Sequence, residues 1–435
     1  MTKITSTIIK TAAILLIAVG LIESEAFETI KLEGKGFDGI DHTAAFTRIS
    51  GVGDIFWLFW PTLASDPTTR PLILWLDGVT GVSPSLRTNF EYAGPIDTDI
   101  TRVEESWSNY FNLLLVDSPV GTGYSRAENA ANISKNFDDH VDNLVNVVQS
   151  FYELHKEYAN TPLHIFGQAH GAQLAVALGI RLAELKTLSV NIKSVALGNG
   201  MISPDLPLTQ IGFYLEELGI IDAEGRAAIE EYTRNLNKLV ADGRYEEAFD
   251  AYMSLSQFIN EEGHAFAIDL TDIGQKVPRE VRDFFGGEKI SAENFKLMEE
   301  TVPPLIGLSS DVKYDEQREA AIKAFRNSLM KPSVDKVEYL LQNTNVTVAI
   351  YNGNKDAILN TQGQLMWVQN LKWSGQENFL NTPRETLVRD GAVMGYFRKT
   401  PKLQFYWLSN VGQMVLYYAY GAITRVAQII TNTPY

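Results

Sequence analysis

The sequence Leu163-His-Ile-Phe-Gly-Gln-Ala-His-Gly-Ala172 decides how the rest of the chain is interpreted. Its apolar first half predicts a buried strand that ends at Gly167, and an apolar helical run follows Gly171. A strand, a sharp turn flanked by glycines and a helix form the nucleophile elbow of many hydrolytic enzymes, with the pattern G-x-S-x-G. Here the central residue is Ala169, which has no nucleophilic atom. The alternative is an ordinary turn between a strand and a helix, because the pattern alone is short.

Strand–loop–helix units repeat on both sides of this turn, which predicts an α/β fold. Apolar runs predict strands, and apolar residues at helical spacing over 138–158 predict one face of a long helix. This alternation favours a mostly parallel central sheet flanked by helices. The predicted strands cover residues 45–48, 54–60, 72–76, 113–116, 163–167, 194–197, 346–351 and 404–408.

Between the two groups of strands the pattern changes to helices. Residues 212–337 lack an alternating strand pattern, and we expect them to form a helical insertion over the active-site end of the sheet. The core would then consist of two parts, 27–211 and 338–435. A second helical domain elsewhere is the alternative. The helix-forming runs are 223–239, 245–259, 292–300 and 315–330.

Residues 1–26 have the features of a secretory signal peptide. Lys3 and Lys10 supply positive charge, residues 11–22 are mostly apolar, and Ser24-Glu25-Ala26 offers small residues before a cleavage point. A short membrane anchor is the competing interpretation, although this apolar run is shorter than a bilayer span. We therefore expect no membrane span after signal cleavage.

Two N-x-[ST] sequons agree with a secretory route. They lie at Asn132 and Asn345 and are predicted sites of N-glycosylation. We expect a secreted, extracellular protein, with the lysosomal lumen as the alternative location.

Composition and charge disfavour several functional classes. The formal net charge is −16, from 37 Lys and Arg against 53 Asp and Glu, which argues against nucleic acid or an anionic membrane as a partner. The chain contains no cysteine, so it has no cysteine nucleophile and no thiolate metal site. Because no metal-binding, P-loop or dinucleotide-binding pattern is present, we expect no metal and no cofactor.

Hydrolases with a nucleophile elbow carry their catalytic residues in the chain order nucleophile, acid, histidine. Asp356 follows a predicted strand and is the candidate acid, and Gln413 occupies the loop after the next strand, where the histidine is expected. An acid with no imidazole to orient does not support a histidine base. Neither Ala169 nor the amide of Gln413 replaces the missing groups. All histidines precede Asp356: His42, His140, His155, His164, His170 and His264.

Over nearly the whole mature sequence, the chain resembles the serine carboxypeptidases. The motifs that carry the resemblance occur in order and with matching spacing. They are PLILWLDGVTG at 71–81 for P-L-x-x-W-L-N-G-G-P-G, FEYAGP at 90–95 for F-E-E-x-G-P, VDSPVGTGYS at 116–125 for V-D-x-P-V-G-T-G-F-S, GQAHG at 167–171 for G-E-S-Y-G, YNGNKD at 351–356 for Y-N-G-x-x-D, and VGQMV at 411–415 for A-G-H-M-V.

The resemblance implies an α/β-hydrolase fold and assigns the catalytic positions. Ala169 stands at the nucleophile, Gln413 stands at the histidine, and Asp356 is the retained triad acid. Val79 stands at a glycine of the oxyanion hole. The backbone N–H of His170 would supply the other donor, while we expect its side chain to be a packed or capping group.

The resemblance also implies where a substrate would bind. The family holds a substrate's C-terminal carboxylate through an Asn and two Glu, and these positions are Asp77, Tyr92 and Gln168 here. A carboxylate at Asp77 would repel a substrate carboxylate unless one of the two is protonated. With Gly78 and His170, these residues complete the predicted substrate-binding set.

We therefore expect a secreted, serine-carboxypeptidase-like protein that is catalytically inactive and binds a peptide or protein through the former substrate cleft. One alternative is a serine-type carboxypeptidase with weak or altered activity that removes C-terminal residues from peptides. A third interpretation is a bulk secreted protein without a specific ligand.

Overall fold

The strands in the described part of the chain form one mixed sheet. The computed structural model describes residues 27–185, 188, 190–261, 268–275 and 290–434, so the predicted signal peptide at 1–26 lies outside the described residues. The strands are β1 Phe27–Lys31, β2 Thr43–Ile49, β3 Gly53–Trp60, β4 Leu72–Leu76, β5 Asn112–Val116, β6 Arg126–Ala127, β7 Leu163–Gln168, β8 Ile192–Gly198, β9 Thr347–Gly353, β10 Glu385–Arg389, β11 Ala392–Lys399 and β12 Leu403–Leu408.

The sheet is parallel in its centre and antiparallel at both sides. Its strand order is β1-β2-β3-β5-β4-β7-β8-β9-β12-β11-β10, with β6 beside β3. The central strands β5, β4, β7, β8, β9 and β12 run parallel, as the alternation of strands and helices predicts. The hairpin of β10 and β11 has no predicted counterpart, because its residues are mostly exposed and form no apolar run.

Helices cover both faces of the central strands. They are α1 Phe137–Leu154, α2 Gly171–Glu184, α3 Asp205–Leu208, α4 Ile211–Glu217, α5 Ala223–Ala241, α6 Tyr245–Glu261, α7 Ala292–Lys296, α8 Val302–Ile306, α9 Arg318–Phe325, α10 Val334–Asn343, α11 Thr361–Gln369, α12 Gln376–Asn381, α13 Val415–Tyr418 and α14 Tyr420–Thr431. No helix in the described ranges combines the length and the apolar character needed to cross a bilayer.

The two faces of the sheet bury two separate hydrophobic cores. On one face, Leu74 of β4 packs in a cluster with Leu144 of α1 and Leu174 of α2. On the other face, Ile73 of β4 belongs to a cluster with Ile423 of α14. Successive strand residues point to opposite faces, so a strand covered on both sides must be apolar throughout. This explains why the predicted central strands are continuous apolar runs.

The described residues between β8 and β9 form helices joined by turns and loops, without a further strand. In α5 and α6, the rings of Tyr232 and Phe258 stack with centroids 4.3 Å apart. Helix α9 is shorter than the predicted run of 315–330, and turns surround it. Its Phe325 contacts the His170 ring at the start of α2, with centroids 5.1 Å apart. The limits 212–337 for a helical insertion stay a prediction.

The turn between β7 and α2 has the backbone of a nucleophile elbow. Ala169 lies in the left-handed region, with φ 49°, which costs a residue with a Cβ about 1–2 kcal/mol. Three backbone hydrogen bonds hold it there: its N–H donates to the Gly198 carbonyl at 3.0 Å, and its carbonyl accepts from Ala172 at 3.2 Å and Met201 at 3.0 Å. These bonds offset the strain and fix the turn at the carboxyl end of the central strand.

The elbow depends on a close approach between α2 and β4. A Cβ on Gly171 would lie 2.0 Å from the Leu76 carbonyl oxygen, and this neighbour is backbone that cannot rotate away. We expect Gly171→Ala to lower the free energy of unfolding by about 3 kcal/mol, because the two elements must separate. Urea unfolding followed by circular dichroism measures this loss.

The matched control is Gly421→Ala in α14, where the nearest atom to an added Cβ belongs to the flexible Arg389 side chain at 3.4 Å. This substitution should change the free energy of unfolding by less than about 1 kcal/mol. Equal losses for the two substitutions would contradict the close-approach argument.

Candidate functional site

The predicted nucleophile position lies at the centre of the sheet, on its carboxyl edge. Ala169 follows β7, and its methyl group is only partly exposed. The preceding residue, Gln168, donates from Nε2 to the backbone carbonyl of Gln413 at 2.9 Å. The fold therefore brings the nucleophile position and the predicted histidine position together, although neither residue carries a catalytic group.

Asp356, the predicted triad acid, is fully buried in the loop after β9. Its Oδ2 accepts from Asn199 Nδ2 at 2.8 Å, and its Oδ1 accepts from the Leu359 N–H at 2.9 Å. Burial raises the pKa of Asp356 to about 7. These partners come from Asn199 and the loop itself and not from Gln413, so the carboxyl group is held without an imidazole.

Asn199 is a site residue that the sequence patterns did not single out. It follows β8 in the left-handed conformation, with φ 39°, and its N–H donates to the Tyr351 carbonyl at 2.9 Å. Its side chain thereby reaches Asp356 from the neighbouring strand. The only signal in the sequence is its place between Gly198 and Gly200 at the end of a predicted strand.

A short segment from the helical region crosses between the Asp356 loop and the Gln413 loop. The N–H of Gln413 donates to the Thr271 carbonyl at 2.7 Å, and the N–H of Ala357 donates to the Leu270 carbonyl at 2.9 Å. A Cβ on Gly412 would lie 2.0 Å from the Thr271 oxygen, so this position has no room for a side chain. The described residues 268–275 thus fix the backbone of Gln413.

Asp77 lies in the loop after β4 and is buried. Trp75 Nε1 donates to its Oδ1 at 3.0 Å, and Thr88 Oγ1 donates to its Oδ2 at 3.1 Å. Burial raises the pKa of Asp77 to about 6, against these two hydrogen bonds and the nearby positive charge of Arg87, which lower it. Near neutral pH the carboxyl group therefore carries a substantial negative charge.

Aromatic side chains stand near the predicted carboxylate-binding positions. The half-buried ring of Tyr92 lies 5.2 Å from that of Tyr417, and the rings of Tyr417 and Tyr418 are 4.5 Å apart. Tyr417 and Tyr418 are 53% and 50% exposed. Burial raises the pKa of Tyr92, so its phenol stays protonated. We call these three residues the tyrosine rim.

Gly78 and His170 meet directly below the elbow. The Gly78 backbone is left-handed, with φ 74°, and a Cβ there would lie 2.5 Å from His170 Nδ1. The imidazole Nδ1 accepts from the backbone N–H of Val79 at 3.1 Å. Burial lowers the pKa of His170 to about 3, so the ring is neutral. The expected packed side chain thus also makes a specific hydrogen bond.

The described histidines other than His170 pack against aromatic rings or bond to neighbouring side chains, and His140 shares the Phe325 contact with His170. His42 contacts Phe37 and Trp60, His140 packs on Phe325, His155 lies beside Phe59, and His164 bonds Ser194. His264 lies outside the described residues. Within the described ranges, no group of three or more His, Asp or Glu side chains could hold a metal ion.

Both predicted glycosylation positions are exposed. Asn132 lies in a short 3₁₀ turn at Ala130–Asn132, and Asn345 precedes β9 at the end of that strand opposite Asp356. Exposure is compatible with glycan attachment, which stays a prediction.

Comparisons with known proteins point to one family. The model of the serine carboxypeptidases, Peptidase S10, matches residues 41–432. The retinoid-inducible serine carboxypeptidase of Mus musculus is 28% identical over 388 residues, which cover 83% of this chain and 85% of the mouse protein. The venom serine carboxypeptidase of Apis mellifera is 27% identical over 427 residues, covering 93% of this chain and 88% of the bee protein.

A solved structure shows the same fold. Kex1(delta)p, a prohormone-processing carboxypeptidase from Saccharomyces cerevisiae, superposes with a TM-score of 0.77 at 19% identity, covering 93% of this chain and 95% of the yeast chain. The fold is the α/β-hydrolase fold, with a mixed sheet flanked by helices.

Three buried carboxyl groups near this edge make the stability depend on pH. Burial raises the pKa of Asp77 to about 6 and the pKa values of Asp117 and Asp356 to about 7. In the unfolded chain an Asp has a pKa of about 4. Between about pH 4 and pH 7 these three groups therefore hold more protons in the folded state than in the unfolded state, and their contribution to stability falls as pH rises through this window.

These carboxyl groups favour the folded state more at about pH 4.5 than at about pH 7.5, each by on the order of 1 kcal/mol or more. The buried neutral rings of His164 and His170, whose pKa values burial lowers to about 3, act in the opposite direction, so the carboxyl contribution is measured by comparing variants with the wild type. Urea unfolding across this range measures the change. Relative to the wild type, Asp77→Asn and Asp356→Asn should each shift the free energy of unfolding at about pH 7.5 upward compared with that at about pH 4.5, because the amide does not titrate. An unchanged slope in both variants would contradict the assignment.

Proposed function

Because the chain belongs to the serine carboxypeptidase family, we propose that it is a catalytically inactive member that binds a peptide or protein through the family's substrate cleft. The observation that carries this proposal is Ala169 in the left-handed elbow, with φ 49°. The turn that would present a nucleophile is kept at a cost in strain, but the presented side chain is a methyl group, which forms no acyl intermediate.

The other catalytic position supports the same proposal. An amide at Gln413 neither accepts nor delivers a proton near neutral pH, so it does not act as a general base. Asp356 would orient and stabilise an imidazolium in the family. Here its carboxyl group is bonded to Asn199 and Leu359 and is sealed from solvent. Two triad groups are therefore missing, and the third has only structural partners.

The tyrosine rim supports a binding role. Large exposed aromatic side chains are enriched at binding surfaces, because they bury much apolar area with little loss of side-chain entropy. Tyr417 and Tyr418 directly follow the Gln413 loop in the chain and are among the largest exposed apolar residues in the described part of the protein. We propose that they contact the ligand at the mouth of the cleft.

The secretory location also belongs to this proposal. A signal peptide at 1–26 and glycans at Asn132 and Asn345 would place the protein outside the cell or in the lysosomal lumen. The exposure of both asparagines agrees with this route.

We expect the purified protein to release no C-terminal residue from a set of N-blocked dipeptides, at about pH 5 or pH 7.5, because it lacks the nucleophile and the base. Release is measured with a ninhydrin-type assay, and an active serine carboxypeptidase serves as positive control. Turnover by the wild type that is lost in Asp356→Asn would overturn the proposal and favour a carboxypeptidase of altered chemistry.

We expect Tyr417→Ala and Tyr418→Ala each to weaken binding of a fluorescent random hexapeptide pool about fivefold or more, because each removes an aromatic contact. Fluorescence anisotropy titrations measure the affinity. Tyr339→Ala is the matched control: Tyr339 is 39% exposed and bonds Glu184, at the end of α2 opposite the elbow. A loss equal to that of the control, or no saturable binding by the wild type, would contradict cleft binding.

A further inference from the structure

His170 has an unusual set of partners for a fully buried histidine. Its side chain is 0% exposed, and its Nδ1 accepts from the Val79 N–H at 3.1 Å. Its Nε2 has no hydrogen-bond partner among the described residues. The ring contacts Phe325 edge-on, at 5.1 Å between centroids. Thus Nδ1 accepts a hydrogen bond, whereas Nε2 is buried without a partner among the described residues.

The hydrogen bond fixes the tautomer. Because Nδ1 accepts a hydrogen bond from the Val79 N–H, it carries no hydrogen of its own, and a neutral imidazole must then carry its hydrogen on Nε2. No described residue accepts a hydrogen bond from that buried N–H, and a buried unsatisfied donor is energetically unfavourable. A buried unsatisfied donor in a native site needs an explanation. A histidine whose only role was to fill space would not need to accept a hydrogen bond from the Val79 N–H.

The geometry of the Gly78 loop aims the Val79 N–H at the ring. The left-handed Gly78 leaves room for His170, since a Cβ there would lie 2.5 Å from Nδ1 and 2.7 Å from the Gly171 nitrogen. Val79 is fully buried and follows directly. The loop after β4 therefore closes onto the start of α2, and its backbone donor points to the imidazole rather than to the space above Ala169.

A second donor near the elbow is satisfied in the same way. The amide of Gln168, which could otherwise meet an anionic oxygen, donates to the Gln413 carbonyl at 2.9 Å. Asp77, beside it, offers only acceptors when it is ionised. Two donors that could hold a negatively charged ligand oxygen, the Val79 N–H and the Gln168 amide, are thus bonded within the protein itself.

We propose that His170 is a positioning residue that withdraws the Val79 N–H from the cleft, so that the elbow lacks one of the two backbone donors that would hold a negatively charged oxygen. This rests on the proposed function, since it treats the elbow as a former acyl-transfer site. It also defines the ligand: an uncharged peptide segment fits, and a carboxylate or an oxyanion does not. The loss of the Val79 donor is separate from the missing nucleophile at Ala169 and the missing base at Gln413. Introducing a nucleophile and a base at those two positions alone therefore does not restore acyl transfer.

The first test restores a nucleophile and a base and then removes His170. The starting protein is Ala169→Ser/Gln413→His, and the probe is a fluorophosphonate. In the reaction the hydroxyl oxygen introduced at 169 bonds to phosphorus, fluoride leaves, and the hydroxyl proton passes to the imidazole introduced at 413. Adding His170→Phe keeps an aromatic ring against Phe325 but removes the acceptor, so the Val79 N–H becomes available to the phosphoryl oxygen.

We expect His170→Phe to raise the labelling rate, followed by mass spectrometry, at least tenfold, because one oxyanion-hole donor is worth about 10²–10³ in rate. The control adds His140→Phe instead. His140 is also buried and packs on Phe325, at 4.3 Å between centroids, but it bonds Ser134 and not Val79. The control should label at the starting rate. Equal labelling rates with and without His170→Phe overturn the proposal, and this includes the case in which neither protein is labelled.

A second measurement needs no variant and holds even where His170→Phe fails to fold. In wild-type protein labelled with ¹⁵N at His and Val, Nδ1 of His170 should show the shift of an unprotonated nitrogen from about pH 5 to pH 8, with a coupling through the hydrogen bond to the Val79 amide. A protonated Nδ1, or no coupling to Val79, contradicts the inference. Turnover by the wild type would instead overturn the proposed function.

Discussion

The contact between the first turn of α2 and the end of β4 is the constraint on which the rest of the site depends. At Gly171 the helix backbone lies so close to Leu76 that an added Cβ would be 2.0 Å from its carbonyl oxygen. At Gly167 an added Cβ would be 2.3 Å from the Gly171 carbonyl oxygen. A chain that turns this sharply from strand to helix places the residue between them in a left-handed conformation, and this residue is Ala169. The elbow is therefore a consequence of backbone packing and does not require a nucleophile.

The loops on the same edge of the sheet are held by interactions within the protein. Asn199 holds Asp356, Trp75 and Thr88 hold Asp77, and His170 holds the Val79 N–H. These three polar groups, which a substrate could have contacted, therefore have hydrogen-bond partners within the protein. Buried polar groups need such partners because an unpaired one costs about 1–3 kcal/mol. The result is an edge that keeps its shape without a bound substrate.

The sequence predicts the central sheet because strands depend on local patterns, whereas most site positions are predicted from the resemblance to the family motifs. The apolar run of β7 and the glycines of the elbow lie within ten residues of each other, and the apolar run of β4 ends two residues before Gly78. The hairpin of β10 and β11 is not predicted, because its mostly exposed residues give no pattern. The bonds of Asn199 to Asp356 and of Val79 to His170 join residues 157 and 91 positions apart. Such pairs form only when the sheet brings distant loops together, and spacing in the sequence does not reveal them.

The close backbone contacts of the elbow also explain why some positions of the family pattern remain. Gly78, Gly167 and Gly171 are required by close backbone contacts, so the fold needs them whether or not the protein is an enzyme. Residue 169 has no such requirement on its side chain, since its partly exposed methyl group faces no constraint beyond the strain of its backbone. Gln413 is fixed through its backbone N–H and carbonyl, and these bonds are independent of its side chain. The three glycines are thus required by the packing of the elbow, whereas that packing places no requirement on the side chains at 169 and 413.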